Sequence, residues 1–325
     1  MQTLVQDVRY AIRQLLHAPG FALTAVVTLA IGIGANTAIF TLVHGVLLKS
    51  LPVADPGQLY KLGDEYNCCI EGDLQKNWSM FTYPFYLEAR DGTPSFEQLA
   101  AAQTNRPLFS VRRAGSNAAD SLNGEFVSGN YFGTLGVNAF AGRTIVPADD
   151  QANASVVAIM SYRTWQLRYG GDPSIVGAAV TMNGIPATIV GIAPAGFFGD
   201  RLEPNPPSLW MPLALEPRFA NENSLLRSRS SAWLYVFGRL RRDANPQQVS
   251  SQLTAELRQY LLTPGNASTH QNLNLIDQQQ IRLAPGGGGI NMMKDDFEQG
   301  LMLLTTASAV VLIIACSRRS ASSPR

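Results

Sequence analysis

Apolar positions follow three patterns along the chain. From Phe21 to Leu48 the run FALTAVVTLAIGIGANTAIFTLVHGVLL carries no Asp, Glu, Lys or Arg. A helix rises about 1.5 Å per residue and the hydrocarbon layer is about 30 Å thick, so roughly 20 residues suffice to cross it. Residues 21–48 are therefore predicted to form a transmembrane helix, too long for the apolar core of a secretory signal, ~7–15 residues. Ahead of it, Leu4, Val8, Ile12, Leu15 and Leu16 recur at helical spacing among Gln6, Asp7, Arg9, Arg13 and Gln14. Residues 1–20 thus read as an interfacial amphipathic helix closed by a Pro19-Gly20 break. A second apolar run, LMLLTTASAVVLIIAC, falls short of a comfortable span, so 300–316 is predicted to be a partial second transmembrane helix. Its pattern stops in one step at SRRSASSPR, an aberrant tail over 317–325 that suggests a change of reading frame.

Between the two apolar runs, over 49–299, short β-like and helix-like segments alternate. QLYKLGDE and PLFSVRRAG read as strands flanking a helix over YPFYLEARDGTPSFEQLAAA. WLYVFGRLRR and LNLIDQQQIRLA read as strands flanking NPQQVSSQLTAELRQYLL, a helix with Asn245 as N-cap and Pro246 at its first position. These two βαβ units, 49–114 and 216–285, predict the halves of a ferredoxin-like or porter-like layer. The third pattern, over 115–215, is rich in Val, Ile and turn glycines. Asn183-Gly184 within TMNGIPATIV is a strong hairpin signal. The fold class is therefore α+β, with a mostly β subdomain inserted in the porter-like one. Residues 286–299 form a linker: Gly286 to Gly289 read as flexible, and Lys294, Asp295, Asp296 and Glu298 as the start of a solvated stalk.

Charge orients this arrangement. Arg9 and Arg13 precede the first apolar run, and Arg318, Arg319 and Arg325 follow the second, which places both chain ends in the cytoplasm and the central domain outside. A formal net charge of +1 excludes a broad basic surface for nucleic acid. Inside the first run, Ala30, Gly34 and Ala38 recur every fourth residue, a ridge that lets another helix approach closely. Asn36 and His44 are polar at membrane depth and favour a partner helix over lipid.

No catalytic constellation stands in the sequence. The sequence has no GxSxG, no zinc spacing and no GxxxxGK[ST], and its three histidines are scattered. Catalytic, metal and cofactor-binding residues are therefore predicted to be none. The adjacent acids Asp149-Asp150 and Asp295-Asp296 read as loop-solvating, and the aromatics of FTYPFY as core. Cys68 and Cys69 are neighbours in sequence, poorly placed to bridge each other, and Cys316 stands alone.

Five stretches carry a resemblance. DVRYAIRQLLHAPGFALTAVVTLAIGIGANTAIFTLVHGVLLKSLP, VSGNYFGTLGVNAFAGRTIVPADD, SYRTWQLRYGGDPSIVG with TMNGIPATIVGIAPAGFFG, and WLYVFGRLRRDANPQQ together resemble MacB/FtsX-type ABC transporter permeases of the duplicated orphan kind. The likeness runs in order through nearly all of 1–316. It implies a non-enzymatic permease subunit in the bacterial inner membrane, with its main domain in the periplasm. It also implies a separate ATPase subunit that binds the ATP, a homo- or pseudo-dimer of permeases, a periplasmic adaptor and contact with membrane lipid. Relatives carry two further spans after the second, so the chain resembles a truncated permease. The alternative is a membrane-anchored periplasmic binding or scaffold module that acts without an ATPase.

Overall fold

The computed structural model describes residues 53–63, 70–71, 74–75, 77–266, 273–288 and 290–291, with individual helical residues between 19 and 41 and at 303 and 306. The chain divides into two compact units, one of residues 50–292 and one of 1–49 with 293–325.

Two βαβ units interleave in the 50–292 unit. Strand β1 (Leu59–Leu62) leads through helix α1 (Tyr83–Gly92) to β2 (Phe96–Gln103). After the insertion described below, β9 (Leu234–Leu240) leads through α5 (Pro246–Leu262) to β10 (Leu283–Pro285). The sheet order is β2-β9-β1-β10 with every neighbour antiparallel, so each unit's parallel strands hold a strand of the other between them. This is a split-βαβ, ferredoxin-like layer. Local chemistry places both helices. The Thr82 hydroxyl accepts from the Phe85 amide (3.3 Å) at the start of α1. The Asn245 carboxamide oxygen accepts from the Gln247 amide (2.9 Å) at the start of α5, beside Pro246 at the first position. In α5, Val249, Leu253, Leu257, Tyr260 and Leu261 are buried at helical spacing. Each such burial contributes about 1.5–3 kcal/mol.

The insertion between β2 and β9 is a closed barrel. Its strands are β3 (Leu108–Arg113), β4 (Asp120–Val127), β5 (Val157–Met160), β6 (Ala179–Met182), β7 (Ile185–Ile192) and β8 (Leu209–Pro212). They run in the order β8-β5-β7-β6-β3-β4, and a parallel β4–β8 pairing closes the ring. The short helices α2 (Tyr131–Leu135) and α3 (Tyr162–Tyr169) lie in its connections, and α4 (Glu216–Ala220) follows β8. The β6–β7 hairpin turns at Asn183-Gly184, both at positive φ (47° and 84°), as a primed turn requires. Alternate residues fill the interior: Phe109 and Val111, Leu122 and Phe126, Val180 and Met182, Leu209 and Met211 are all buried in one cluster. Between Leu122 and Phe126 stands Gly124, where a Cβ would lie 2.6 Å from the Phe109 ring, so the ring occupies the space of the missing side chain.

Barrel and sheet meet where the end of β4 touches β2 (Val127 opposite Ala102), and Ser128 Oγ accepts from the Ala101 amide (2.9 Å). A second apolar cluster fills this junction, with Ala100, Ala102 and Phe237 from the sheet, Tyr131 and Phe132 from α2, and Ile159 and Trp210 from the barrel.

Several expectations change. The helix predicted over 83–102 ends at Gly92, and FEQLAAAQ is the strand β2. Pro94 disfavours helix at the preceding Thr93, whose ψ is 82°, and the pairing of β2 with β9 overrides its helical propensity. PLFSVRRAG supplies the barrel strand β3 and not a sheet strand, and LNLIDQQQIRLA begins as a 3-10 turn (Leu273–Gln278) before extending. Gly286 and Gly287 do not form a free linker: the Gly286 amide donates to the Leu59 carbonyl (2.7 Å), and a Cβ at Gly287 would lie 2.5 Å from the Pro56 carbonyl oxygen.

In the other unit, the described residues from Pro19 to Thr41 are helical and exposed, including Pro19 and Gly20, where a break was expected. Leu23 is 67% and Ile33 58% exposed. The hydroxyls of Thr37 and Thr41 donate to the carbonyls four residues earlier (2.8 Å each), so neither needs an outside partner. Among the described residues no helix is long and apolar enough to cross a membrane. The two predicted spans lie largely outside those residues, as do most of 1–20, Asn36, His44, the three cysteines, the stalk at 294–298 and the tail 317–325.

Candidate functional site

The most unusual chemistry in the described residues is a buried group of charges at the barrel–sheet junction. Strand alternation builds its barrel side: Leu122, Gly124 and Phe126 of β4 point inward, so Glu125 points out. On β8, Trp210 lies opposite Glu125 in the parallel register. An outward position on a barrel would normally meet water. Here the sheet covers it, and Glu125 and Trp210 are fully buried. Arg201, in the connection between β7 and β8, reaches in with a side chain that is 1% exposed.

Arg201 is the hub. One guanidinium nitrogen donates to the Thr104 carbonyl (2.7 Å), and another donates to the Gln103 carbonyl (2.7 Å) and to the Glu125 carboxylate. Its Nε lies 3.4 Å from Asp200 Oδ2, and its guanidinium carbon sits over the Tyr235 ring of β9 at 5.2 Å. Trp210 Nε1 donates to the other Glu125 oxygen (3.1 Å), and the Tyr131 hydroxyl donates to Asp200 Oδ1 (3.1 Å). Arg106 approaches Glu125 at 3.7 Å and pairs with Glu203. One side chain thereby ties β2, β4 and β9 together. Ions so buried gain little net stability from pairing, because desolvation offsets the attraction. Breaking one pair is costly.

Burial pushes the Asp200 carboxyl above its ordinary range, with the Arg106 charge and the Tyr131 hydroxyl opposing it. The Tyr131 phenol is raised well above its usual value, first by burial and then by Asp200. Among the described residues the group holds three carboxyls and two guanidiniums, and a proton on Asp200 makes it neutral. A raised carboxyl binds its proton more tightly when folded, so Asp200 lowers stability as pH rises from the ordinary carboxylate range through its raised value. Asp172, lowered to about 2 by Ser174 and Arg113, acts oppositely, its contribution being lost as pH falls toward that value. Asp200→Asn is expected to flatten the fall in stability on the alkaline side of the ordinary carboxylate range, read from denaturation midpoints at successive pH. An unchanged profile would exclude Asp200 as its source.

The residues singled out from sequence lie elsewhere. Ala30, Gly34 and Ala38 are helical and exposed, and among the described residues none comes within 4 Å of a Cβ placed on Gly34. Of the paired acids, Asp149 binds Arg143 (2.6 and 2.8 Å). Asp150 does not solvate a loop: its carboxylate accepts from the Gly129 and Ala214 amides (2.8 and 2.7 Å) and is raised by burial. Phe81, Phe85 and Tyr86 of FTYPFY are core. Among the described residues no three His, Cys, Asp or Glu side chains converge as a metal ion requires.

The profile of the MacB-like periplasmic core domain matches residues 22–256. The chain belongs to that family. The MacB-like match covers the split-βαβ layer as far as α5, the whole barrel and the Arg201 cluster. No curated protein matches the chain. Solved structures similar to it include the extracellular domain of the noncanonic ABC-type transporter YknZ from Gram-positive bacteria, at 13% identity and TM-score 0.45, covering 64% of this chain and 97% of that one. The periplasmic region of MacB from Actinobacillus actinomycetemcomitans is similar at 12% identity and TM-score 0.46, covering 82% and 98%.

Proposed function

We propose that the chain is the permease subunit of a MacB/FtsX-type ABC transporter, anchored in the bacterial inner membrane with its 50–292 unit in the periplasm. A separate ABC ATPase subunit binds the ATP, and its cycle moves the membrane helices and, through them, the periplasmic domain, for export or for signalling to a periplasmic adaptor. The family match over 22–256 carries this reading. It is supported by the way the domain begins and ends: β1 and β10 are antiparallel neighbours, so the chain enters and leaves the sheet at the same end, as suits a domain strung between two anchors. The apolar, uncharged run 21–48 supports the first anchor, and the exposed Ala30, Gly34 and Ala38 support pairing with a second permease helix in contact with lipid.

The test is copurification of the tagged full chain from membranes with an ABC ATPase subunit, followed by protease sensitivity of the 50–292 unit with and without ATP. Copurification with an ATP-dependent change is expected. Partner binding indifferent to ATP would favour the scaffold alternative. In the same membranes Gly34→Leu is expected to reduce cross-linking between chains several-fold, and unchanged cross-linking would remove the small-residue ridge from the dimer contact.

A further inference from the structure

The two ends of the 50–292 unit are fastened to different parts of it. On the incoming side, the Ala54 amide donates to the Leu135 carbonyl (3.1 Å), and Arg239 of β9 donates to the carbonyls of Ala54 (2.7 Å) and Thr134 (3.1 Å). Residues 54–55 are thereby fixed to α2 and the sheet. On the outgoing side the chain leaves β10, passes Gly286 and Gly287 against Leu59 and Pro56, and then pairs Ile290–Asn291 in parallel with Arg201–Leu202. The last described residues before the other unit thus grip the connection that carries the hub of the buried cluster, and not the sheet.

We propose that this two-residue parallel pair is a tie that passes displacement of the outgoing segment to the barrel–sheet junction, with Arg201 as its positioning residue. Only the source of the displacement rests on the transporter reading. A shift of the Arg201 backbone moves its guanidinium against the Gln103 and Thr104 carbonyls on the sheet side and against Glu125 on the barrel side. In a buried site a half-paired charge is expensive, so the cluster changes between discrete arrangements and does not stretch continuously. The incoming end, held by Arg239, stays with the sheet. Relative movement of the two ends therefore works on the junction between barrel and sheet.

Hydrogen exchange of the full chain in membrane mimetic, followed by mass spectrometry, tests the tie without any ATPase. Ile290→Pro combined with Asn291→Pro removes the amides that this side of the parallel pair can donate to Arg201–Leu202. It is expected to speed exchange of the segments around Gln103–Arg106 and Asp200–Glu203 about tenfold or more, leaving α5 unchanged. Gly288→Ala, which enters open space, is the control and should change neither. Coupling free energies are reciprocal, so Arg201→Met should in turn speed exchange at Ile290–Asn291. If the proline variant does not fold, that reverse measurement decides alone, and slow exchange retained at Ile290–Asn291 overturns the proposal. Slow exchange retained at Gln103–Arg106 in a folded proline variant overturns it equally. With the ATPase added, ATP-dependent exchange in regions other than this cluster would overturn the tie and leave the transporter reading standing. An intact tie with no ATP response anywhere would do the reverse.

Discussion

Arg201→Met is expected to destabilise the 50–292 unit by about 3–5 kcal/mol, the range for removing one partner of a buried ion pair. Methionine fills much of the same volume, so the loss is electrostatic. It leaves the Glu125 carboxylate with the Trp210 indole and the more distant Arg106, and strips the Gln103 and Thr104 carbonyls of their shared donor. The check is equilibrium urea unfolding followed by circular dichroism. The double variant Glu125→Gln with Arg201→Met should recover at least about half of the loss, because a neutral pair of similar shape leaves no orphaned charge. A loss below about 1 kcal/mol for the single variant would mean that Glu125 finds water or another cation once Arg201 is gone, and that the junction does not hold its charges away from solvent.

What could be read from the sequence was local. Asn183-Gly184 between β-formers marks a hairpin because two consecutive positive-φ residues are cheap only for such a pair. Asn245-Pro246 marks the start of α5 because cap and first-turn chemistry involve only neighbours. Phe81, Phe85 and Tyr86 of FTYPFY are core, as the density of apolar area there suggests. What could not be read depends on distant partners. FEQLAAAQ has the composition of a helix and becomes a strand because β9, more than a hundred residues later, pairs with it. The barrel closes by aligning Gly124–Val127 with Leu209–Pro212, a register that no local signal carries.

The cluster was hidden for the same reason. Strand alternation assigns Glu125 to an outer face, where a carboxylate is ordinary, and only docking of the sheet buries it. Arg201 lies in FFGDRLEPNPP, which reads as a solvated loop. The one available hint was density: Asp200, Arg201 and Glu203 stand within four residues of one another and beside the aromatic pair Phe197-Phe198, an unusual mixture for a loop exposed on both sides. The glycines at 286–287 mislead in the opposite direction. Glycine serves close approach as well as flexibility, and only the distances to Leu59 and Pro56 distinguish the two uses.

Trp210 separates packing from polarity at this junction, and its two replacements are expected to differ. Trp210→Ala should cost about 3–5 kcal/mol, as for other buried aromatic truncations, because the ring contacts Phe132 and Phe197 at centroid distances of 5.9 and 5.3 Å. Trp210→Phe keeps an aromatic ring in the apolar cluster and removes the Nε1 donor, leaving one oxygen of a buried carboxylate without its described hydrogen bond. That should cost about 1–3 kcal/mol, read from denaturant midpoints with an unchanged slope. The phenylalanine variant also tests how Glu125 is held for Arg201. If it is destabilised within this range, the indole helps to fix Glu125 for Arg201, and the barrel holds its half of the cluster rigidly. If it matches wild type, Arg201 and Arg106 alone compensate Glu125, and Trp210 serves the junction by packing.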